Sequence, residues 1–336
     1  MRQRRGLAGW QIATLSAAGA VGSLTLANWL TRAGLRTPEH ALNGVEALYP
    51  WTEGTIHYTV RGRGEPMLLL HDLPPGSSAY DYRNVFAALA ERYRVFAPDL
   101  LGYGLSGRPA IHYTPQLYST LIEDFLRQVL GATDQPAHVI VAGQSAPFAV
   151  IAAAARPQLI RSLTLIEPVG LTEPADERSS LGGAAAQVAR LLLRAPLLGE
   201  SAYNAVVSRW GLRRALRRRL AARSDGSPGA MRVSDDVIDH YYAVAHQPGA
   251  RFAPADALIG ARGAAASEAF AAVSAPTLLV WGQRDSAHPN GESRALRKAR
   301  PDAQVRVFPT GAMPQVEAPD AFTREVLAWL RAAARV

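Results

Sequence analysis

The chain is expected to be an α/β protein: a mostly parallel central sheet with helices on both faces and an all-helical cap inserted between two of its strands. Three observations predict this. From Thr55 to Pro168, short apolar strand patterns alternate with helical ones. Between Gly170 and Val273 the strand rhythm stops and the pattern becomes helical, rich in alanine and leucine. Buried-strand runs then resume at PTLLVWG (276–282) and QVRVFP (304–309).

The elements follow in order. Thr55–Val60 (TIHYTV) alternates and ends at Arg61-Gly62-Arg63-Gly64, a turn signal. Met67–Leu70 is continuously apolar, as a strand buried on both faces must be. Asp81–Glu91 has helical spacing, with Val85, Phe86, Leu89 and Ala90 on one face. A strand (YRVFAPDL, 93–100), a glycine-rich loop (GYGLSGRP, 102–109) and a helix (115–131) come next. The run VIVAGQSAPFAV (139–150) then reads as strand, sharp turn and helix, and SLTLIEP (162–168) as another buried strand. Pro196, Ser224-Asp225-Gly226-Ser227-Pro228 and Pro248 break the insertion. A final amphipathic helix spans Ala321–Ala334.

Composition narrows the function. Hydrophobic residues make up 48% and charged residues 19%, a balance that supports a folded core. With no cysteine, disulfides, thiolate metal sites and cysteine nucleophiles are excluded. The net charge of +8 could suit an anionic partner, yet arginine carries nearly all of it, Lys298 being the only lysine. No zinc-finger, RNA-binding or homeodomain pattern accompanies it, so no nucleic acid is expected. Arg213, Arg214, Arg217, Arg218 and Arg219 cluster in the insertion; they read as a solvated cap helix or as contacts to anionic headgroups.

The N-terminal segment, residues 1–36, carries Arg2, Arg4 and Arg5 ahead of an uncharged run, Gly6–Thr31. That length spans a bilayer core, and Trp10 and Trp29 sit where interfacial aromatic belts form. A single membrane-anchoring helix is expected, with the folded domain on the exported side; a cytoplasmic location is the alternative. Two readings compete with an anchor: a cleaved signal peptide ending near Ala18-Gly19-Ala20, and an extra helix lying on the folded domain. Gln11, Thr14, Ser16, Ser23, Thr25 and Asn28 interrupt the run. Residues 37–48 read as a linker, 49–169 and 274–336 as the core, and 170–273 as the cap.

Five motifs in order carry a resemblance: LLLHD (68–72), APDLLGYGLSGRP (97–109), GQSAP (143–147), LLVWGQRD (278–285) and PTGAMPQVEAPDAF (309–322). Together they make residues 49–336 resemble a cap-bearing α/β-hydrolase of the esterase, epoxide-hydrolase and haloalkane-dehalogenase type. The resemblance implies the α/β-hydrolase fold, a small hydrophobic substrate or ligand and no cofactor. Gly143-Gln144-Ser145-Ala146-Pro147 matches the nucleophile elbow G-x-S-x-G except for its last residue, which makes Ser145 the expected nucleophile. Asp285 takes the position of the acid that orients the base. The amides of Leu73 and Ala146 are the expected oxyanion donors, with His71, Asp72 and Gln144 beside them.

The resemblance fails at the base. The closing motif should read G-H-x-P-x-x-E-x-P; Gly311, Pro314, Glu317 and Pro319 fix its register, and Ala312 stands where histidine belongs. Asp72 replaces the glycine of the usual H-G pair. His288 and His71 are the candidate substitute bases, and Glu167 reads as a capping or pocket-lining carboxylate. Two functions follow: hydrolysis of hydrophobic esters or related acyl substrates by Ser145 with an incomplete triad, or a catalytically inactive relative that binds an apolar ligand or a partner between cap and sheet.

Overall fold

A computed structural model of the chain describes residues 9–33, 35, 42–172, 183–220, 233–257, 264–284 and 291–333. Its strands are β1 (Val45–Trp51), β2 (Gly54–Arg61), β3 (Pro66–Leu70), β4 (Arg94–Pro98), β5 (Ala137–Ala142), β6 (Ile160–Ile166), β7 (Thr277–Gly282) and β8 (Gln304–Phe308). The described helices begin with α1 (Gly9–Ala33), α2 (Phe86–Ala90), α3 (Pro115–Gln128) and α4 (Ala146–Ala155). Between β6 and β7 come α5 (Gly183–Arg194), α6 (Leu198–Val206), α7 (Arg209–Arg219), α8 (Asp235–Ala245), α9 (Phe252–Ala257) and α10 (Ala264–Ala272). The chain continues through α11 (Gly291–Ala299), α12 (Pro314–Glu317) and α13 (Pro319–Ala333).

The strands form one sheet in the order β1-β2-β4-β3-β5-β6-β7-β8. β1 and β2 make an antiparallel hairpin, β2 pairs antiparallel with β4, and every other neighbour is parallel. All residues of β3 and β5 are buried, which is why both read as unbroken apolar runs. The chain passes from β3 to β4 on one side, and from β5 through β6, β7 and β8 on the other. The crevice outside the carboxyl ends of these two strands is therefore the topological switch point, where open α/β sheets bind ligands.

One face of the sheet packs α3 and α4 through Phe125, Leu126, Phe148 and Val150. The other packs α2 and α13 through Phe86, Leu89, Phe322 and Trp329. A third cluster builds the cap: Tyr203, Leu212, Leu216, Ile238 and Tyr241 close on Met313 and Val316 of the loop after β8. Thus the cap is fastened to the segment that carries Ala312. Local signals set its helix starts: Ser208 and Ser234 accept the amides of Gly211 (3.3 Å) and Val237 (3.4 Å) as N-caps of α7 and α8. α10, assigned to the cap on pattern, packs instead on α4 with Phe270 fully buried. Burial of such a ring contributes about 1.5–3 kcal/mol.

Three expectations need correction. Val45–Leu48, assigned to the linker, belong to the edge strand β1, whose alternate half-exposed residues give only a weak apolar pattern. The helix expected over 81–91 is a short 3-10 turn, Ala79–Tyr82, followed by α2. The membrane-anchoring helix is overturned: among the described residues, no helix is long and apolar enough to cross a membrane. The physical reason is the polar set already noted, one member of which is put to other use. Asn28 is buried against α6, accepting from Ser201 Oγ (3.2 Å) and Asn204 Nδ2 (3.1 Å) and donating to Leu197 O (3.4 Å). α1 lies on the folded domain, and the exported placement inferred from an anchor falls with it.

Candidate functional site

The site is built where β3 and β5 end. β5 stops at Ala142, and the sharp turn into α4 is made by Gly143, whose φ of 56° is in the left-handed region. Glycine is the residue for which that conformation carries no steric penalty. Ser145, two residues on, has ordinary helical dihedrals (φ −79°, ψ −13°) and a fully buried side chain. Its hydroxyl donates to the His71 carbonyl at 2.6 Å. The strained strand-to-helix position that presents a nucleophile in this kind of elbow is therefore held by Gly143. That geometry corrects the expectation that Ser145 is presented at the turn.

The amide following that position is Gln144 N, and it points at Asp72 Oδ1, 2.8 Å away. Leu73 N donates to the same oxygen, also at 2.8 Å. Two backbone N–H groups, one from the turn after β5 and one from the loop after β3, thus converge on a single carboxylate oxygen. That is the donor geometry of an oxyanion hole, filled here by a side chain of the protein itself. Of the two amides expected as oxyanion donors, that of Leu73 bonds the Asp72 carboxylate and that of Ala146 closes the turn onto Gly143 O.

The other carboxylate oxygen, Asp72 Oδ2, is 2.5 Å from Arg219 Nη2. Arg219 ends α7, and its carbonyl accepts the Ala312 amide at 2.7 Å. The guanidinium therefore reaches the site from beside Ala312. Asp81, fully buried behind it, accepts from the Tyr241 hydroxyl. Burial raises the Asp81 carboxyl above its usual range, and the Arg219 charge pulls it back down.

The candidate bases are placed as follows. His71 is fully buried, with Nε2 accepting from Leu100 N (2.9 Å), so the proton sits on Nδ1, which donates to Asp72 O at 2.6 Å. Both ring nitrogens are engaged in holding the loop. Asp285 and His288 lie outside the described residues. Glu167 ends β6 at φ 44°, accepts the Gly282 amide and lines the cavity, which joins the two structural roles expected of it. Glu317 accepts the Gly311 amide at 2.9 Å, so the frame of the closing motif is intact around Ala312.

Above these residues a cavity of about 670 Å³ separates sheet and cap. Gly143, Gln144, Asp72, Arg219 and Ala312 form its floor, and Tyr118, Phe148, Leu193, Tyr203 and Val207 contribute to its apolar wall. Among the described residues no cluster of His, Asp and Glu could hold a metal ion.

The sheet order, the cap and the elbow between β5 and α4 agree with what sequence comparison finds: the model of the Alpha/beta hydrolase family matches residues 67–325. The chain belongs to the alpha/beta hydrolase family. It is 30% identical over 261 residues to haloalkane dehalogenase 2 of Mycobacterium tuberculosis (strain ATCC 25618 / H37Rv), covering 71% of this chain and 80% of that protein. Among solved structures it resembles a serine hydrolase involved in carbazole degradation (TM-score 0.68, 22% identity, 85% of this chain and 98% of that one). It also resembles the enol-lactonase of Burkholderia xenovorans LB400 (TM-score 0.67, 18% identity, 85% and 100%). At these identities the structural likeness speaks to the shared fold. The sequence reasoning missed Gly143 and Arg219. Their signals were present: an apolar strand run ending at Ala142, and Leu212, Leu216 and Arg219 at helical spacing on one face.

Proposed function

We propose that this α/β-hydrolase-family protein binds an apolar small molecule between cap and sheet and does not carry out acyl transfer. One observation carries the reading: Asp72 Oδ1 accepts both Leu73 N and Gln144 N, above an elbow whose turn residue is Gly143. A developing oxyanion has no donors left to meet there. Glycine supplies no side chain for a covalent intermediate, so serine-type and carboxylate-type nucleophilic routes both lack their reacting group at that position. With Ala312 in the histidine position, the base is absent from its usual place as well. Losing the nucleophile or base of a triad costs on the order of 10⁶ in turnover. The size and mostly apolar lining of the cavity fit a ligand site.

The competing reading is a hydrolase of hydrophobic esters working through Ser145. It requires Ser145 Oγ to leave the His71 carbonyl and reach a cavity from which its side chain is buried away. A fluorophosphonate probe and a panel of p-nitrophenyl esters and lactones, run on wild type and Ser145→Ala, separate the two. The expected result is no labelling of Ser145 and no difference in turnover, together with saturable binding of a neutral apolar dye such as Nile red. Wild-type turnover abolished by Ser145→Ala would overturn the proposal.

A further inference from the structure

α7 has two unlike sides. Leu212 and Leu216 turn inward, into the cluster they share with Tyr203 and Val207 of α6 and its end, and Arg219 turns inward to Asp72. On the opposite side Trp210, Arg214, Arg217 and Arg218 recur at i, i+4, i+7 and i+8, and all four are exposed, Trp210 to 70%. The cations on the flanks are neutralised, Arg209 by Asp239 and Arg213 by Asp235. Those of the outer row are not: among the described residues no carboxylate lies within ion-pair distance of Arg214, Arg217 or Arg218. The Arg214 guanidinium instead lies over the Trp210 ring, 5.6 Å from its centre.

α6 continues this face. It buries Tyr203 and Val207 in the same cluster as α7, so the two helices turn their outer sides away from one shared core. On α6 that side carries Leu198, Ala202, Ala205 and Val206, again at i, i+4, i+7 and i+8, all exposed and none charged; Val206 reaches 74%. α5 packs on α6 and adds Leu191 and Leu192, both exposed. The cap thus presents an apolar half, from α5 and α6, and a cationic half, from α7, with a tryptophan at the boundary between them.

Single exposed apolar residues need no partner, but a patch built by two packed helices does. The charge beside the patch identifies the partner. In a two-fold contact between copies of the chain the same surface lies on both sides, which brings the arginine rows together and opposes association. At an anionic bilayer surface each part meets its complement: apolar side chains enter the acyl boundary, guanidiniums meet lipid phosphates, and the indole sits at headgroup level.

We propose that the outer face of α5, α6 and α7 docks the protein on the surface of a membrane containing anionic lipids. The contact is peripheral, is carried by the cap rather than by the N-terminal segment, and needs no helix that crosses a bilayer. Val206 also lines the cavity between cap and sheet, so the rim of the cavity lies at the docking face.

The test is co-sedimentation of the full-length protein with vesicles of phosphatidylcholine alone and of phosphatidylcholine mixed with phosphatidylserine. Each basic side chain near an anionic surface strengthens binding about fivefold, so three free arginines give a preference of about 100-fold for the anionic vesicles, lost as salt rises. The triple variant Arg214→Gln, Arg217→Gln, Arg218→Gln should abolish most of that preference. Trp210→Ser should weaken binding to the anionic vesicles by about tenfold through lost apolar burial. All four side chains are exposed, so the unfolding midpoint should not move. A second triple variant, Arg63→Gln, Arg92→Gln, Arg127→Gln, removes the same charge from exposed positions at the end of the sheet away from the cap, and should keep binding within about twofold of wild type. Absence of binding to anionic vesicles, or equal binding to both vesicle types, would overturn the proposal. Equal losses in the two triple variants would also overturn it, reducing the effect to net charge. A dimer in light scattering that Trp210→Ser dissociates, with no vesicle binding, would assign the face to a second copy instead.

Discussion

Replacing Gly143 with alanine tests the central geometric claim, that the elbow has room for the Asp72 carboxylate only because the turn residue lacks a side chain. An ideal Cβ at Gly143 falls within 3.0 Å of Asp72 Cγ and of both carboxylate oxygens, against about 3.5–4.0 Å for an ordinary carbon contact. It would also place alanine at φ 56°, which costs a non-glycine residue about 1–2 kcal/mol. Asp72 cannot yield freely, since moving it breaks the bonds from Leu73 N, Gln144 N and Arg219. Overpacking of this sort costs a further ~1–3 kcal/mol, giving a destabilisation of roughly 2–5 kcal/mol. The assay is guanidinium unfolding of wild type, Gly143→Ala, Asp72→Gly and the double variant. Asp72→Gly removes the obstruction, so adding Gly143→Ala to it should cost only the backbone strain. A favourable coupling of about 1–3 kcal/mol between the two sites is expected. A single Gly143→Ala variant within about 0.5 kcal/mol of wild type, or strictly additive energies, would refute the reasoning.

Three further outcomes are expected. Arg219→Met leaves Asp72 buried without its cation and should lower stability by up to the ~3–5 kcal/mol seen for broken buried pairs; pairing it with Asp72→Asn should recover much of that loss, read again by unfolding midpoint. Ala312→His alone should leave ester turnover within about twofold of wild type, because the new imidazole finds glycine at the elbow and a carboxylate on the oxyanion donors; a large gain in a p-nitrophenyl ester assay would contradict the site assignment. The His240 ring stacks on Tyr80 at 3.9 Å, and burial pushes its pKa down from 6.5 to about 4. The unfolded chain takes up that proton as pH falls below about 6.5 and the folded protein does not. Stability is therefore complete above that value and declines toward pH 4, by up to roughly 3 kcal/mol. His240→Phe, which keeps the stack, should flatten that part of the pH–stability profile in thermal melts, and an unchanged slope would count against it.

The sheet, the cap and the order of motifs were legible because each rests on a local periodicity: unbroken apolar runs for β3 and β5, helical spacing for α3 and α13. Edge strand β1 was not, since its residues alternate between half-buried and exposed positions that polar and apolar side chains both tolerate. At the site, a literal match to G-x-S-x-G pointed to Ser145, two residues beyond the turn that the backbone makes. Physical placement was the better guide. A nucleophile must directly follow the strand, and the strand pattern ends at Ala142. Arg219 was obscured by its four arginine neighbours, which read as one solvated face. Helical spacing separates it from them, because it lies three residues after the buried Leu216.

Asp72, Gly143, Arg219 and Ala312 are physically linked. Asp72 fits over the elbow because Gly143 has no Cβ. Its charge is tolerable in a buried crevice because Arg219 meets one oxygen and two amides meet the other. Arg219 reaches it from α7 at a point where the backbone of residue 312 is bonded to its own carbonyl, with only a methyl group on that residue facing the cavity. On the proposed reading, restoring one member therefore introduces a clash, an unpaired charge or an idle base, and no turnover is expected from it. On the proposed reading, the Asp72–Arg219 ion pair stands where a nucleophile, a base and an open oxyanion hole would otherwise work. On that reading the apolar walls of the cavity, Tyr118, Phe148, Leu193, Tyr203 and Val207 among them, are left to hold a ligand.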